Sequence, residues 1–170
     1  VVIEGLALAA KKNPDAKFLL FGDETKVLEH LNNYPDLKKV RFIYAASAEH
    51  QLYVQCYTQY DLMTICDFNG NLKCNIYGPK WVNEKTQTQH YSLGVEFCGD
   101  KILALYSGGD HRTDAYYPTK FLVFDLNGNY LKTLETGYMI TDFCYDKENN
   151  RLINLNDEIQ FAYLDLEGII

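Results

Sequence analysis

Three stretches of this chain repeat one pattern: "MTICDFNGNLKCNIY" from Met63, "FLVFDLNGNYLKTLE" from Phe121 and "FAYLDLEGII" from Phe161. In each, an apolar run ends in an Asp and a Gly follows three residues later, at Asp67 and Gly70, Asp125 and Gly128, Asp165 and Gly168. The upstream sequence repeats as well. "VRFIYAASAEHQLYVQC", "VEFCGDKILALYS" and "TDFCYDKENNRLINLN" each read as a strand with an aromatic residue (Phe42, Phe97 or Phe143), a polar turn, and a second strand with Leu52, Ile102 or Leu152. Two copies add a further strand, "NLKCNIY" and "YLKTLET". The repeating unit is therefore four antiparallel strands.

A four-stranded unit that recurs every ~40–45 residues can bury its faces only by stacking on its neighbours, which is the pattern of a β-propeller blade. On this spacing the blades run over residues 40–77, 92–136 and 139–170, the last without an outer strand. The expected fold class is mainly β, with residues 40–170 forming a partial β-propeller of under three four-stranded antiparallel blades. A stack that does not close leaves edge strands open, so self-association through those edges is expected. The "NGN" in two copies supplies residues that tolerate positive φ in a tight turn, and the repeated Asp residues are expected to accept turn N–H bonds. They do not fit a calcium loop: an EF-hand puts its Gly sixth and a Glu twelfth, whereas Gly128 is fourth from Asp125.

Residues 1–38 have a different texture. "VVIEGLALAAKKNPD" sets Val2, Leu6, Ala9 and Ala10 on one helical stripe and stops at Asn13-Pro14. "KFLLFGD" is a continuous apolar run of strand length, and "ETKVLEHLNNYPDLKK" returns to helical spacing through Val27, Leu28 and Leu31. This piece reads helix, strand, helix, a short α/β segment ahead of the β portion. The opening residues lack the pattern of a secretion signal, since a Glu interrupts the apolar run and the basic residues come after it.

Composition narrows the function classes. A net charge of −7 with no basic stripe argues against a nucleic-acid partner, whose phosphates need clustered Lys and Arg. No run approaches the roughly eighteen apolar residues of a membrane span. Fourteen Tyr and nine Phe against two Met suit half-buried pleated surfaces. The five cysteines, Cys56, Cys66, Cys74, Cys98 and Cys144, fall at no metal or redox spacing and read as buried thiols; a Cys66–Cys74 bridge across one hairpin is the alternative. His30, His50 and His90 share no metal-ligand spacing and read as surface or turn residues. No nucleophile elbow, P-loop or dinucleotide fingerprint occurs, so neither catalytic residue, metal nor cofactor is expected.

Two family resemblances add to this. "KFLVFDLNGNYLKTLE" followed by "ITDFCYDKENNRLINLN" resembles bacterial six-bladed propellers of the TolB-like type, which implies architecture and says little about activity. "VVIEGLALAAKKNPDAKFLLFGDETKVLEHLNNYPDLK" is similar to the early part of PlsX-type phosphate acyltransferases, α/β enzymes that make acyl phosphate from acyl carrier protein and phosphate. That family carries a Gly-Gly-Asp signature just before this helix. The "GGDH" of residues 108–111 lies inside the second repeat instead, so no catalytic residue is carried across. The resemblances together imply either an appendage on a propeller, a relative of the acyltransferases, or a fusion of unrelated pieces without an evolved function.

Two loops hold the candidate binding residues. "SGGDHRTDAYYPT", residues 107–119, brings Asp110, His111, Arg112 and Asp114 within five positions and suits a cation or an anionic ligand; the competing reading is a solvated insertion. "GPKWVNEKTQTQHYS" links the first two repeats and carries the single Trp81, which reads either as a partner anchor or as packing between repeats. The expected function is a non-enzymatic interaction or ligand-binding module for an unidentified protein or small ligand.

Overall fold

The computed structural model describes residues 42–156 and 160–170. The helix-strand-helix expectation for residues 1–38 lies outside the described residues. Within them the protein is mainly β, with no α-helix. Three antiparallel sheets follow one another along the chain. The first comprises β1 (Phe42–Ser47), β2 (Leu52–Tyr57), β3 (Leu62–Asp67) and β4 (Leu72–Tyr77). The second comprises β5 (Thr88–Cys98), β6 (Lys101–Asp110), β7 (Lys120–Asp125) and β8 (Tyr130–Glu135). The third has three strands, β9 (Ile140–Asp146), β10 (Arg151–Asn156) and β11 (Gln160–Asp165). In every sheet the spatial order is the chain order, so each is a meander joined by local turns.

The turns explain why the repeated motif is needed. Asp67 Oδ1 accepts the N–H groups of Asn69 (2.9 Å) and Asn71 (2.8 Å), and Asp125 does the same for Asn127 and Asn129 at 2.8 and 2.9 Å. The Asn71 and Asn129 side chains return a bond to the second carboxylate oxygen, each at 2.8 Å. Those bonds, led by the Asn side chain in each case, hold both carboxyls below the usual Asp range. Asp165 accepts the Glu167 N–H at 2.9 Å. Gly70, Gly128 and Gly168 all take positive φ (84°, 86° and 70°), a conformation that disfavours any residue with a Cβ.

Strand pairing shows that the copies superpose in register. Asp67, Asp125 and Asp165 stand opposite Leu52, Lys101 and Arg151. Counted from these pairs, Val54, Cys56, Met63 and Ile65 of the first sheet match Leu103, Leu105, Phe121 and Val123 of the second. All eight are fully buried. They form the trailing face of each sheet, toward the next one. The first trailing face packs on Ile102, Ala104, Tyr106 and Phe124 from the leading face of the second sheet. The second packs on Phe143, Leu152, Leu164 and Leu166 of the third. The middle sheet is thus covered on both sides, which is why "ILALY" in β6 is continuously apolar instead of alternating. Each fully buried aliphatic side chain in these layers contributes about 1.5–3 kcal/mol.

Register corrects the sequence alignment in one respect. Phe42 pairs with Tyr57, Phe97 with Ile102 and Phe143 with Asn154, so the three Phe residues are not equivalent positions. They stand at different distances from the turn, Phe42 five residues before Ser47, Phe143 three before Asp146 and Phe97 one before Cys98, and the turns also differ in length. Ser47 pairs with Leu52 and Asp146 with Arg151, enclosing four residues, whereas Cys98 pairs with Lys101 across only Gly99 and Asp100. The cysteine alternatives also resolve. All five thiols are free. Cys74 is paired with Ile65, and Cys66 with Leu72, which sets the two sulfurs on opposite faces. Cys56, Cys66 and Cys98 are buried and Cys74 half-buried, but Cys144 is exposed, contrary to the buried-thiol expectation.

Candidate functional site

The turn after β2, the connection of residues 78–87 and the far end of β6 meet at one end of the first two sheets. At their junction is a polar cluster whose members share no spacing along the chain. Asp61 and His90 are each only 1% exposed. The Tyr106 hydroxyl donates to Asp61 Oδ1 at 3.2 Å, and the Lys80 backbone N–H donates to Oδ2 at 2.9 Å. His90 Nδ1 lies 3.3 Å from the Tyr106 oxygen and 3.7 Å from Asp61 Oδ1, while its Nε2 is 3.4 Å from Thr86 Oγ1. Because the phenol has one proton and gives it to the carboxylate, the Nδ1 contact requires the imidazole to carry its proton on Nδ1.

Burial lowers the His90 pKa; Asp61 opposes the shift and Lys80 adds to it. Burial, then Asp61, pushes the Tyr106 phenol well up. The cluster is tightly built: a Cβ at Gly78 would sit 2.1 Å from the Asp61 carboxyl carbon, so only glycine lets this backbone close over the acid. Sealed from solvent in this way, the cluster cannot meet a substrate. Its chemistry is to satisfy buried polar groups and to tie three chain segments together.

Above it lies the open surface. The structure corrects the 107–119 loop: β6 extends to Asp110, so residues 107–110 are strand, and the loop proper begins at His111. The Asp110 carboxylate accepts the Arg112 N–H at 2.9 Å and faces its guanidinium at 3.4 Å, which keeps the carboxyl below the usual Asp range. His111 donates from Nδ1 (2.8 Å) and from its backbone N–H (3.1 Å) to the Gln87 carbonyl. The Lys80 ammonium reaches the Gly108 carbonyl at 3.4 Å. Asp110, His111 and Arg112 are therefore brought together. The Asp114 residue opens the 3-10 turn Asp114–Tyr116, and its side chain is outside the described residues. Trp81 is not in the core: it is 37% exposed and stacks edge-on against Tyr77 with ring centroids 4.8 Å apart. Its neighbour Lys80, not Trp81 itself, touches the Asp110 strand.

An open cleft of about 540 Å³ lies beside this loop, lined by Ser107, Ala115, Tyr117, Thr119 and Met139. Register explains its position. Thr119 precedes Lys120, which pairs with Glu135 as Leu62 pairs with Tyr77, so Thr119 is the counterpart of Asp61. The Thr119 carbonyl accepts from Thr136 (3.0 Å) as that of Asp61 accepts from Gly78 (2.7 Å). Where the first interface has its acid, the second has a hydroxyl and an opening.

Sequence reasoning missed Asp61, Tyr106, Thr86 and Lys80, and it took His90 for a surface or turn residue. His90 is buried because β5 starts at Thr88 and its N–H pairs with the Thr58 carbonyl at 2.8 Å, drawing the ring between sheets. The one local signal was Gly78-Pro79 directly after a strand, where the backbone approaches another chain segment closely.

No family model matches the chain. Over short stretches it is similar to curated phosphate acyltransferases. It is 52% identical over 40 residues to that of a Bradyrhizobium strain and, at the same identity and length, to that of Rhodopseudomonas palustris. To that of Granulibacter bethesdensis it is 51% identical over 35 residues. These stretches are 24%, 24% and 21% of this chain and 11%, 11% and 10% of the respective relatives. The chain thus spans about a tenth of the length of the curated relatives it matches.

Proposed function

We propose that this protein is a non-enzymatic binding module of the propeller kind, TolB-like in its repeat, that engages a protein or small ligand through the loops at one end of its sheets. Three sheets in matching register, with β5 packed between β1 and β9, support the architecture, since the innermost strands of successive blades adjoin in this way. The observation that carries the binding site is the convergence of Lys80, Gln87 and His111. It sets an ammonium, an Arg-paired carboxylate and an exposed Trp on a buried, hydrogen-bonded base, with the Thr119 cleft alongside. Polar groups on loops held by rigid sheets are the usual form of such a site.

A thermal-shift screen with divalent cations and small organic anions, together with pull-down, tests this. Asp110→Ala and Trp81→Ala should each weaken whatever binding is found; binding unchanged in both variants removes these loops from the site. The short similarity to phosphate acyltransferases supports a second reading, a fragment related to those proteins. Formation of acyl phosphate by the purified chain, assayed alongside the screen, would replace the non-enzymatic reading with that one.

A further inference from the structure

The open cleft between the second and third sheets stands where the first interface has its sealed cluster. In the register that equates Lys101 with Arg151 and Asp125 with Asp165, Asn156 is the counterpart of Tyr106. Tyr91 pairs with Tyr106 and Ile140 with Asn156, so Met139 takes the place of His90. With Thr119 in the place of Asp61, the acid, the imidazole and the phenol of the first interface become a hydroxyl, a thioether and a short amide. Two of these three, Thr119 and Met139, line the cleft. The space is therefore the one that a phenol ring fills one layer earlier.

A second observation concerns hydrogen bonding. Asn156 is 9% exposed, and its buried Oδ1 has no hydrogen-bond partner among the described residues. It stands on the leading face of β10 as Tyr106 stands on that of β6, toward Thr119 as Tyr106 is toward Asp61. In the first interface the phenol is the donor of this layer, giving its proton to Asp61. In the second an acceptor remains and the donor is missing. The last side-chain torsion of Asn is broad, so a turn of the amide brings the oxygen to the opening.

We propose that the cleft binds a small hydroxyaromatic ligand, whose ring enters between the second and third sheets as the Tyr106 ring lies between the first and second, and whose hydroxyl donates to Asn156 Oδ1. This rests on the reading of the protein as a binding module and names the chemistry of one part of its site. The cleft, at about 540 Å³, is within the ~300–1,000 Å³ of small-molecule pockets. None of its described lining residues carries a charge, which suits a neutral ring better than an ion. Ala115 and the Met139 thioether offer apolar contact, and sulfur against an aromatic ring is a favourable one.

The chain's two methionines report on the two interfaces separately, since Met63 is buried in the first and Met139 lines the cleft. Spectra of methyl-labelled methionine, titrated with 4-methylphenol to about 10 mM, should show the Met139 resonance moving and saturating with a dissociation constant on the order of 1 mM. The Met63 resonance should stay in place. Toluene, which has the ring without the hydroxyl, should bind at least about fivefold more weakly. Asn156→Leu keeps the opening and removes the acceptor, so 4-methylphenol should bind this variant no more tightly than toluene binds the wild type. A Met139 resonance that does not move, that drifts without saturating, or that answers toluene equally overturns the proposal. So does wild-type affinity for 4-methylphenol in Asn156→Leu. Failure here with ligands still found at the Lys80 and Asp110 loops overturns this inference and leaves the binding-module reading standing; a saturating Met139 shift with no ligand at those loops does the reverse.

Discussion

The two interfaces between sheets use the same register positions and are closed in different ways. Both have an apolar trailing face, with Val54, Cys56, Met63 and Ile65 in one and Leu103, Leu105, Phe121 and Val123 in the other. The leading faces diverge. Ile102, Ala104 and Tyr106 on β6 correspond to Leu152, Asn154 and Asn156 on β10. In the first interface the Tyr106 hydroxyl finds Asp61, and the end of the layer is sealed. In the second the acid is replaced by Thr119, the cleft remains, and the buried Oδ1 atoms of Asn154 and Asn156 have no hydrogen-bond partner among the described residues. Packing against an aliphatic layer thus tolerates a change of leading residues, but a polar residue placed there needs its partner supplied from a different turn. The first interface has that partner. The second has an accessible opening in its place.

The largest expected effect tests whether the second interface is as firmly packed as the first. Phe121 is wholly buried and meets the Phe143 ring edge-on at 4.9 Å between centroids. Phe143 in turn lies against Gly94, where a Cβ would come within 2.6 Å of the ring. Phe121→Ala should cost about 3–5 kcal/mol, and Met63→Ala in the first interface about 2–5 kcal/mol, both read from guanidinium unfolding midpoints. A single transition in both variants means that the sheets unfold as one unit. If Phe121→Ala instead splits the transition in two, the third sheet is held independently and the comparison of like interfaces fails.

Much of the β portion was legible because its signals are local. A run ending in Asp, with Gly three residues on, specifies a turn through bonds that never leave five consecutive residues, as at Asp125 and Asn129. The three-strand form of the last sheet could be read for the same reason. What could not be read depends on pairing across distance. The alignment of Phe42, Phe97 and Phe143 failed because where a turn begins and how many residues it encloses, and so how far each Phe stands from it, are invisible until strands are paired. The Asp61, His90 and Tyr106 cluster was missed because its members come from three separate elements and carry no common spacing. Asp110, His111 and Arg112 were found because they are consecutive, whereas Trp81 was singled out by its chemistry alone and turned out to be an exposed ring beside Tyr77.

The next effect sharpens the contrast between a sealed and an open layer end by using pH. Burial lowers the His90 pKa below its ordinary 6.5, so the fold holds the ring neutral while the unfolded chain takes up a proton. The unfolded state then binds more protons below pH 6.5, and stability must fall as pH drops from 6.5 toward the folded value, by up to about 1.4 kcal/mol per pH unit. Asp67, Asp110, Asp125 and Asp146, whose carboxyls are lowered by hydrogen bonds, lose their contributions only at more acid pH, below the ordinary Asp value of 3.8. Urea midpoints from pH 7.5 to pH 2.5 separate the two windows. His90→Gln should flatten the upper one and leave the lower one in place. An unchanged slope near pH 6 in that variant would mean that another group titrates there.

The smallest effect has the opposite sign and concerns the second interface alone. Asn154 is 5% exposed, its amide oxygen has no partner among the described residues, and its register counterpart in the middle sheet is Ala104. Leucine has the branching and the number of side-chain heavy atoms of asparagine and removes the unsatisfied acceptor, so Asn154→Leu, where its bulkier methyl groups fit the layer, should stabilise the chain by about 1 kcal/mol. The matching change in the first interface, Tyr106→Phe, removes a hydroxyl that is bonded to Asp61 and should destabilise by about 1–3 kcal/mol. Opposite signs at these two leading faces are what the difference between a partnered and an unpartnered polar group demands. Destabilisation by Asn154→Leu would show that its oxygen is satisfied in solution by water entering from the cleft, and the two interfaces would then differ in who supplies the partner and not in whether there is one.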